Sequence, residues 1–144
     1  MDSIIILSKI ETLKRCIERI LSKTPNHKEV LFDDLDLQDI IVLNLQRAVQ
    51  VSVDLAAHIL SETNVQTPLT MAECFIELHR AGVISRSTAE RLRKSVSFRN
   101  IAVHEYQSLN WDVVYAIITL HLNDFRDYAM EIMAWLEKRG AQDP

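Results

Sequence analysis

The stretch WDVVYAIITLHLNDFRDYAMEIMAWL, residues 111–136, decides the fold class. Trp111, Val114, Tyr115, Ile118, Leu122, Phe125, Ala129, Ile132, Met133 and Leu136 recur at steps of three and four. That spacing is the mark of a long helix with one buried stripe, here running for about seven turns. Asn110 stands where an N-cap is wanted. Lys138, Arg139 and Gly140 supply the basic last turn and the glycine stop, leaving residues 141–144 as a tail.

Working outward, the same period recurs. Ile6, Ile10, Leu13, Ile17, Ile20 and Leu21 predict a first helix over residues 3–22, closed by Pro25 and Asn26. Residues 26–32 read as a connection with some helical structure of its own. A second long helix begins near Asp33, Asp34, Asp36 and Asp39, whose carboxylates suit a helix N-terminus, and reaches Leu60 or Ser61. Leu37, Ile41, Leu45, Ala48, Leu55 and Ile59 form its stripe, with Ile40, Leu43, Val49, Val53 and Ala57 beyond it. A helix apolar over so much of its circumference sits centrally in a bundle and also offers a face to another chain. Residues 67–70 form a loop and cap. Thr70 and Glu73 have the capping-box spacing, predicting a helix over 71–80 with Gly82 in its C-terminal cap. Ser87 and Glu90 repeat that spacing and start a helix through Leu92 and Val96 to Ile101, broken at residues 107–110.

Only 2 Gly and 3 Pro stand among 144 residues. A sandwich or barrel turns every ~8–12 residues and needs more breakers than that. With no repeat and no linker, residues 1–144 read as one all-α domain, an antiparallel up-and-down bundle of about five helices. Apolar types make up 48% and charged types 25%, the composition of a globular chain with a core. Gly82 and Gly140 cannot write a phosphate-cradling glycine loop. Cys16 and Cys74 form no CxxC pair and read as reduced core thiols, and no histidine lies at metal-site spacing from a cysteine. No metal or cofactor is expected. Met1-Asp2-Ser3-Ile4-Ile5-Ile6-Leu7 lacks the charge and length of a secretory signal. Residues 40–60 carry Asn44, Gln46, Arg47, Gln50, Asp54 and His58, which argues against a membrane span. The expectation is a soluble cytoplasmic protein. Its net charge of −4 gives no overall pull toward nucleic acid, so any such binding rests on a local patch.

One segment carries chemistry: Arg99-Asn100-Ile101-Ala102-Val103-His104-Glu105-Tyr106. At about 100° per residue, Arg99, Asn100, His104 and Tyr106 fall near 0°, 100°, 140° and −20°, under half of the circumference. Ile101 and Val103 lie outside that arc. A cation, an amide, an imidazole and a phenol in one neighbourhood suit phosphodiester chemistry without a metal. Histidine is the side chain that exchanges a proton near neutral pH, and arginine presents a planar fork to phosphate oxygens. RNA brings its own nucleophile, the 2′-hydroxyl. His27, His58, His79 and His121 read as ordinary solvated or capping residues.

The run resembles the Arg-x(4–6)-His signature of the HEPN superfamily, and more closely the Arg-x4-His-x-Tyr form of HepT-like toxins. Leu45-Gln46-Arg47-Ala48-Val49-Gln50 with Asp54-Leu55-Ala56 resembles that family's second-helix pattern, so the likeness extends over roughly residues 4–136. The resemblance implies an all-α homodimer with two motifs meeting in an interface cleft. It implies a metal-independent ribonuclease toxin, neutralised by a minimal nucleotidyltransferase antitoxin of MntA type that transfers AMP to the motif tyrosine. By position, Arg99 and His104 would be catalytic, Asn100 supporting, and Tyr106 the modified residue. AMP on Tyr106 would compete with RNA for the same positive charge.

Between Arg80 and Arg99, six basic residues stand against one acid, Glu90. Arg91, Arg93 and Lys94, with Arg47, are the candidate RNA-backbone ligands. Arg47 and Asp54 share a helix face, and read either as an ion pair across helices or as part of the cleft lining. The rival functions are a non-catalytic HEPN subunit that presents substrate to a nucleotidyltransferase, and a purely structural helical dimer.

Overall fold

α3 (Leu35–Ser61) is the axis of the molecule, with 13 of its residues buried. The computed structural model describes residues 3–63 and 68–142, which are helical with no strand among them. α1 (Ser3–Lys23) lies along α3 and buries Ile6, Ile10, Leu13, Ile17 and Ile20 together with Cys16. α2 (Lys28–Asp33) turns the chain into α3. α4 (Met71–Arg80) and α5 (Arg86–His104) pack on its other sides. By length and composition α3 could cross a membrane. Here its apolar surface is largely covered by α1, α4 and α5, which makes it the core helix of the bundle.

The helix starts follow from capping. Asp34 accepts from the Leu37 N–H at 3.0 Å and opens α3 within the acidic cluster. Buried Gln38 donates to the carbonyls of Leu31 (3.0 Å) and Phe32 (3.2 Å), which satisfies the end of α2 and fixes the α2–α3 corner. Thr70 accepts from the Glu73 N–H at 3.2 Å, and Glu73 reaches back to the Leu69 N–H at 3.2 Å. Thr67, in the same expected loop, lies outside the described residues. After α4, Gly82 takes φ +78°. The Gly82 N–H bonds His79 O at 2.9 Å and the Val83 N–H bonds Leu78 O at 3.0 Å, a Schellman cap that needs the left-handed glycine.

Three expectations are corrected. The box at Ser87 and Glu90 does not open α5. Ser85 is the cap, accepting from the Thr88 N–H at 3.2 Å. The Ser85 N–H and the Thr88 hydroxyl both donate to the Glu131 carboxylate, the former at 2.6 Å. An acid from across the bundle thus sits on the positive end of α5 and sets its start, which no local pattern announces.

The long helix predicted from residue 111 is interrupted. α6 (Trp111–Ala116) passes through a π-turn, Ile117–His121, into α7 (Asn123–Gln142). The Thr119 hydroxyl donates to Tyr115 O at 2.7 Å, a local competitor for the helix's own bonds. Val114, Ile118, Leu122, Phe125, Tyr128 and Ile132 all remain buried across the wide turn, so the apolar stripe survives the change of helical type. Asn110 does cap this segment, accepting from the Asp112 and Val113 N–H groups. Gly140 does not stop it: α7 runs on through Ala141 to Gln142, residues expected in the tail, and residues 143–144 lie outside the described residues. Tyr128 joins α7 to α3, its hydroxyl donating to Ser52 O at 2.7 Å and its ring meeting Phe75 edge-on at 5.6 Å.

Candidate active site at the end of α5

α5 ends at His104, where Glu105 leaves the helical region (φ −141°, ψ 49°) while its N–H still bonds Ile101 O at 2.8 Å. A 3-10 turn, Tyr106–Ser108, follows. Arg99 is half-buried and reaches toward α3. Its Nη2 donates to Gln50 Oε1 at 3.2 Å and its Nη1 to Asn100 Oδ1 at 3.3 Å. Gln50 Nε2 in turn donates to Asp54 Oδ1 at 3.0 Å. The guanidinium is therefore held by two neutral oxygens, and among the described residues no carboxylate pairs with it. Asn100 and His104 project to solvent.

Tyr106 goes elsewhere. Its hydroxyl donates to Asp39 Oδ1 at 2.6 Å, and its ring packs edge-on against Trp111 at 6.0 Å. Partial burial, and then the Asp39 carboxylate, raise its pKa well above that of an ordinary phenol. Asp39 and Gln50 are eleven residues apart on α3. At about 1.5 Å per residue, the heads of Tyr106 and Arg99 are anchored roughly 16 Å apart along that helix. The helical wheel that nearly eclipses these two residues fails because the helix ends before Tyr106. Within one chain the cation and the phenol diverge.

The basic stretch is thinner than its residue count. Arg91 is tied to Asp124 (2.8 Å) and Asp127 (3.0 Å), which raise its pKa, and it also donates to the Thr88 hydroxyl. Arg93 pairs with Glu90 at 2.9 Å, and its bond to Glu90 holds that carboxyl below its ordinary pKa. Arg80 pairs with Glu77 at 2.5 Å. α7 thus supplies the acids that pair with Arg91, and the preceding turn of α5 supplies the one that pairs with Arg93. Lys94, Arg86 and Arg99 have no ion pair among the described residues.

Arg47 is exposed, and its charge lowers the pKa of the Cys16 thiol of α1, against the larger effect of burial. No Arg47–Asp54 ion pair forms among the described residues. Asp54 instead steadies Gln50. The other histidines have local roles: His79 Nδ1 lies 3.0 Å from Ile84 O, His58 lies 3.4 Å from Glu62, and His121 lies 3.8 Å from Asp124. Both cysteines are buried, and burial raises their pKa. Among the described residues no group of three His, Cys, Asp or Glu side chains could hold a metal ion.

Beside the motif lies a cavity of about 520 Å³ with an apolar lining that includes Leu45, Val49, Phe98, Ile101, Leu109 and Val113. Ile101 and Val113 remain 40% and 51% exposed at its rim, and Val103 on the same helix is 45% exposed. This uncovered apolar surface lies next to the polar residues of the motif.

Gln50 and Asp39 are the site residues that sequence reasoning did not single out. Gln50 lay inside the second-helix pattern, and Asp39 was absorbed into an acidic cluster explained by the helix dipole. Nothing in their spacing joins either one to residues about 50 or more positions away.

An α-helical bundle with an Arg-x4-His pair at the open end of a basic helix defines the HEPN class of proteins. Comparison with known proteins narrows this. The chain belongs to the ribonuclease HepT-like family, whose model matches residues 13–132. It is 38% identical over 130 residues to the mRNA nuclease HepT of Shewanella oneidensis, covering 90% of this chain and 97% of that one. It is 29% identical over 131 residues to the tRNA nuclease HepT of Aphanizomenon flos-aquae, covering 88% and 89% respectively. A solved structure of the tri-AMPylated Shewanella oneidensis HEPN toxin in complex with MNT antitoxin superposes with a TM-score of 0.85 at 38% identity, covering 90% of this chain and 97% of that one.

Proposed function

We propose that this chain is the ribonuclease toxin of a toxin–antitoxin pair, acting in the cytoplasm as a metal-independent homodimer. The observation that carries the reading is the state of Arg99. It is the basic residue of the motif, and it is held in place by the neutral oxygens of Gln50 and Asn100, so its charge stays available to a phosphate. Exposed His104 exchanges the proton. In the cleavage step an imidazole takes the proton of a ribose 2′-hydroxyl, whose oxygen attacks the adjacent phosphorus. The 5′-oxygen leaves with a proton from an imidazolium. One helix offers one such ring, and the second copy supplies the other. Arg99 stabilises the charge gathering on the non-bridging oxygens, and Asn100 keeps the guanidinium aimed. The apolar cavity beside Ile101 supports the dimer. Lys94 extends the positive surface for the RNA backbone.

The family and the named relatives support a toxin silenced by a nucleotidyltransferase antitoxin of MntA type. Tyr106 is the acceptor of AMP in that reading. An RNA-cleavage assay in EDTA tests the nuclease: the wild type cuts and His104→Ala does not. Cutting by His104→Ala at the wild-type rate contradicts the assigned role, and cutting abolished by EDTA contradicts the metal-free mechanism. The dimer is tested by light scattering, with Ile101→Asp expected to elute as a monomer.

A further inference from the structure

The motif leaves one side chain unexplained: Asp39, on the second turn of α3, which faces no lysine or arginine among the described residues and instead holds the Tyr106 hydroxyl at 2.6 Å. Trp111 packs at 69° against the phenol ring, centroids 6.0 Å apart, beside this contact. We propose that Asp39 is the base that takes the Tyr106 proton when the tyrosine accepts a nucleotidyl group. The inference rests on the reading above that Tyr106 is that acceptor.

The chemistry requires a base from somewhere. A phenol is a poor nucleophile until its proton leaves, and this one is held protonated by its surroundings far above neutral pH. Ionisation ahead of reaction is therefore suppressed, and the proton must go to an acceptor as the new bond forms. Asp39 Oδ1 is already on the hydrogen-bond path, within the reach that general-base transfer needs. The step balances within a nucleoside triphosphate and this chain. Tyr106 Oη attacks the α-phosphorus and the Oη–P bond forms. The bond from the α-phosphorus to the bridging oxygen breaks, and pyrophosphate leaves with that electron pair. The hydroxyl proton passes to the Asp39 carboxylate, which is exposed and returns it to water. The toxin thus contributes more than an acceptor to its own modification: it brings the base that makes the acceptor reactive. The neighbouring acids do not share this role: among the described residues Asp36 and Glu105 make no hydrogen bond to the phenol, Asp112 pairs with Lys28 at 3.3 Å, and Asp39 is the one charged group that raises the phenol's pKa.

The test uses the full chain with its nucleotidyltransferase partner and magnesium ATP, reading the rate of AMP-sized mass gain on the Tyr106 peptide. Asp39→Asn keeps an oxygen acceptor of the same shape but cannot take the proton. It is expected to slow transfer on the order of 100-fold, with Asp39→Glu recovering part of the rate and Asp36→Asn unchanged. Thermal melting checks that the variants are folded. Transfer to Asp39→Asn at the wild-type rate overturns the proposal while leaving Tyr106 as the acceptor. Equal slowing in Asp39→Asn and Asp39→Glu also overturns it. A wild-type chain that gains AMP only at another residue overturns both readings.

Discussion

At the residue scale the site turns on a guanidinium whose hydrogen bonds restrain it without neutralising it. The contrast lies on the same helix. Arg91 faces two aspartates and Arg93 faces a glutamate, while Arg99 faces an amide from α3 and an amide from its neighbour. A fork held at both ends is not equivalent to a point charge on a flexible stem. Arg99→Lys is therefore expected to lower RNA cleavage by about 10²-fold despite keeping the charge, the scale of losing one preorganised stabilising group. Steady-state kinetics should place the loss mainly in kcat. Cleavage within threefold of wild type would show that the fork is not used. The motif itself was legible in the sequence, because Arg99, Asn100, His104 and Tyr106 are close in the chain. Their partners were not, because Gln50 and Asp39 meet them only once α3 and α5 lie side by side.

At the element scale, periodicity and capping were read well wherever the determinants were local. The helix over 71–80, its Thr70 cap, the Gly82 stop and the Asn110 cap all follow from neighbouring residues, and the structure has each of them. The failures are tertiary. Residues 111–136 keep a helical apolar stripe that a π-turn does not erase, so the stripe conceals the interruption. The start of α5 is set by Glu131 from α7, a distance of 43 residues from Thr88. Because α5 carries the motif at its other end, its anchorage bears on the site. Glu131→Ala leaves the buried Thr88 hydroxyl and the first turn of α5 without their carboxylate. It should cost about 1–3 kcal/mol in urea denaturation. An unchanged midpoint would mean that the Ser85 cap suffices by itself.

At the scale of the whole molecule, α3 gathers the bundle. α1 packs along one side, α4 and α5 along others, and Tyr128 of α7 is pinned to the Ser52 carbonyl in the interior. This central helix was legible from its wide apolar surface, whereas the pairing of Arg91 with Asp124 and Asp127 was not, since charge counted along a chain says nothing of acids across a bundle. The buried phenol ties stability to pH. Complete burial raises the Tyr128 pKa well above 10.0. Above that pH the unfolded chain releases a proton that the folded chain keeps, so the contribution is full below pH ~10 and is lost as pH rises beyond it. Denaturation midpoints should fall above pH ~10 with a slope of up to about 1.4 kcal/mol per pH unit from this group. Tyr128→Phe should fall less steeply, while being less stable at neutral pH by about 1 kcal/mol for the lost hydrogen bond. Parallel curves for the two proteins would contradict this.

The central claim is that Arg99 and His104 cleave RNA through the ribose's own 2′-hydroxyl. It is tested most directly by giving the wild-type protein, in EDTA, an RNA it cuts and the same RNA carrying a single 2′-O-methyl group at the cut position. The account predicts 2′,3′-cyclic phosphate ends from the first and no cutting at that position in the second. Equal cutting of both, or ends bearing a 5′-phosphate, would contradict it.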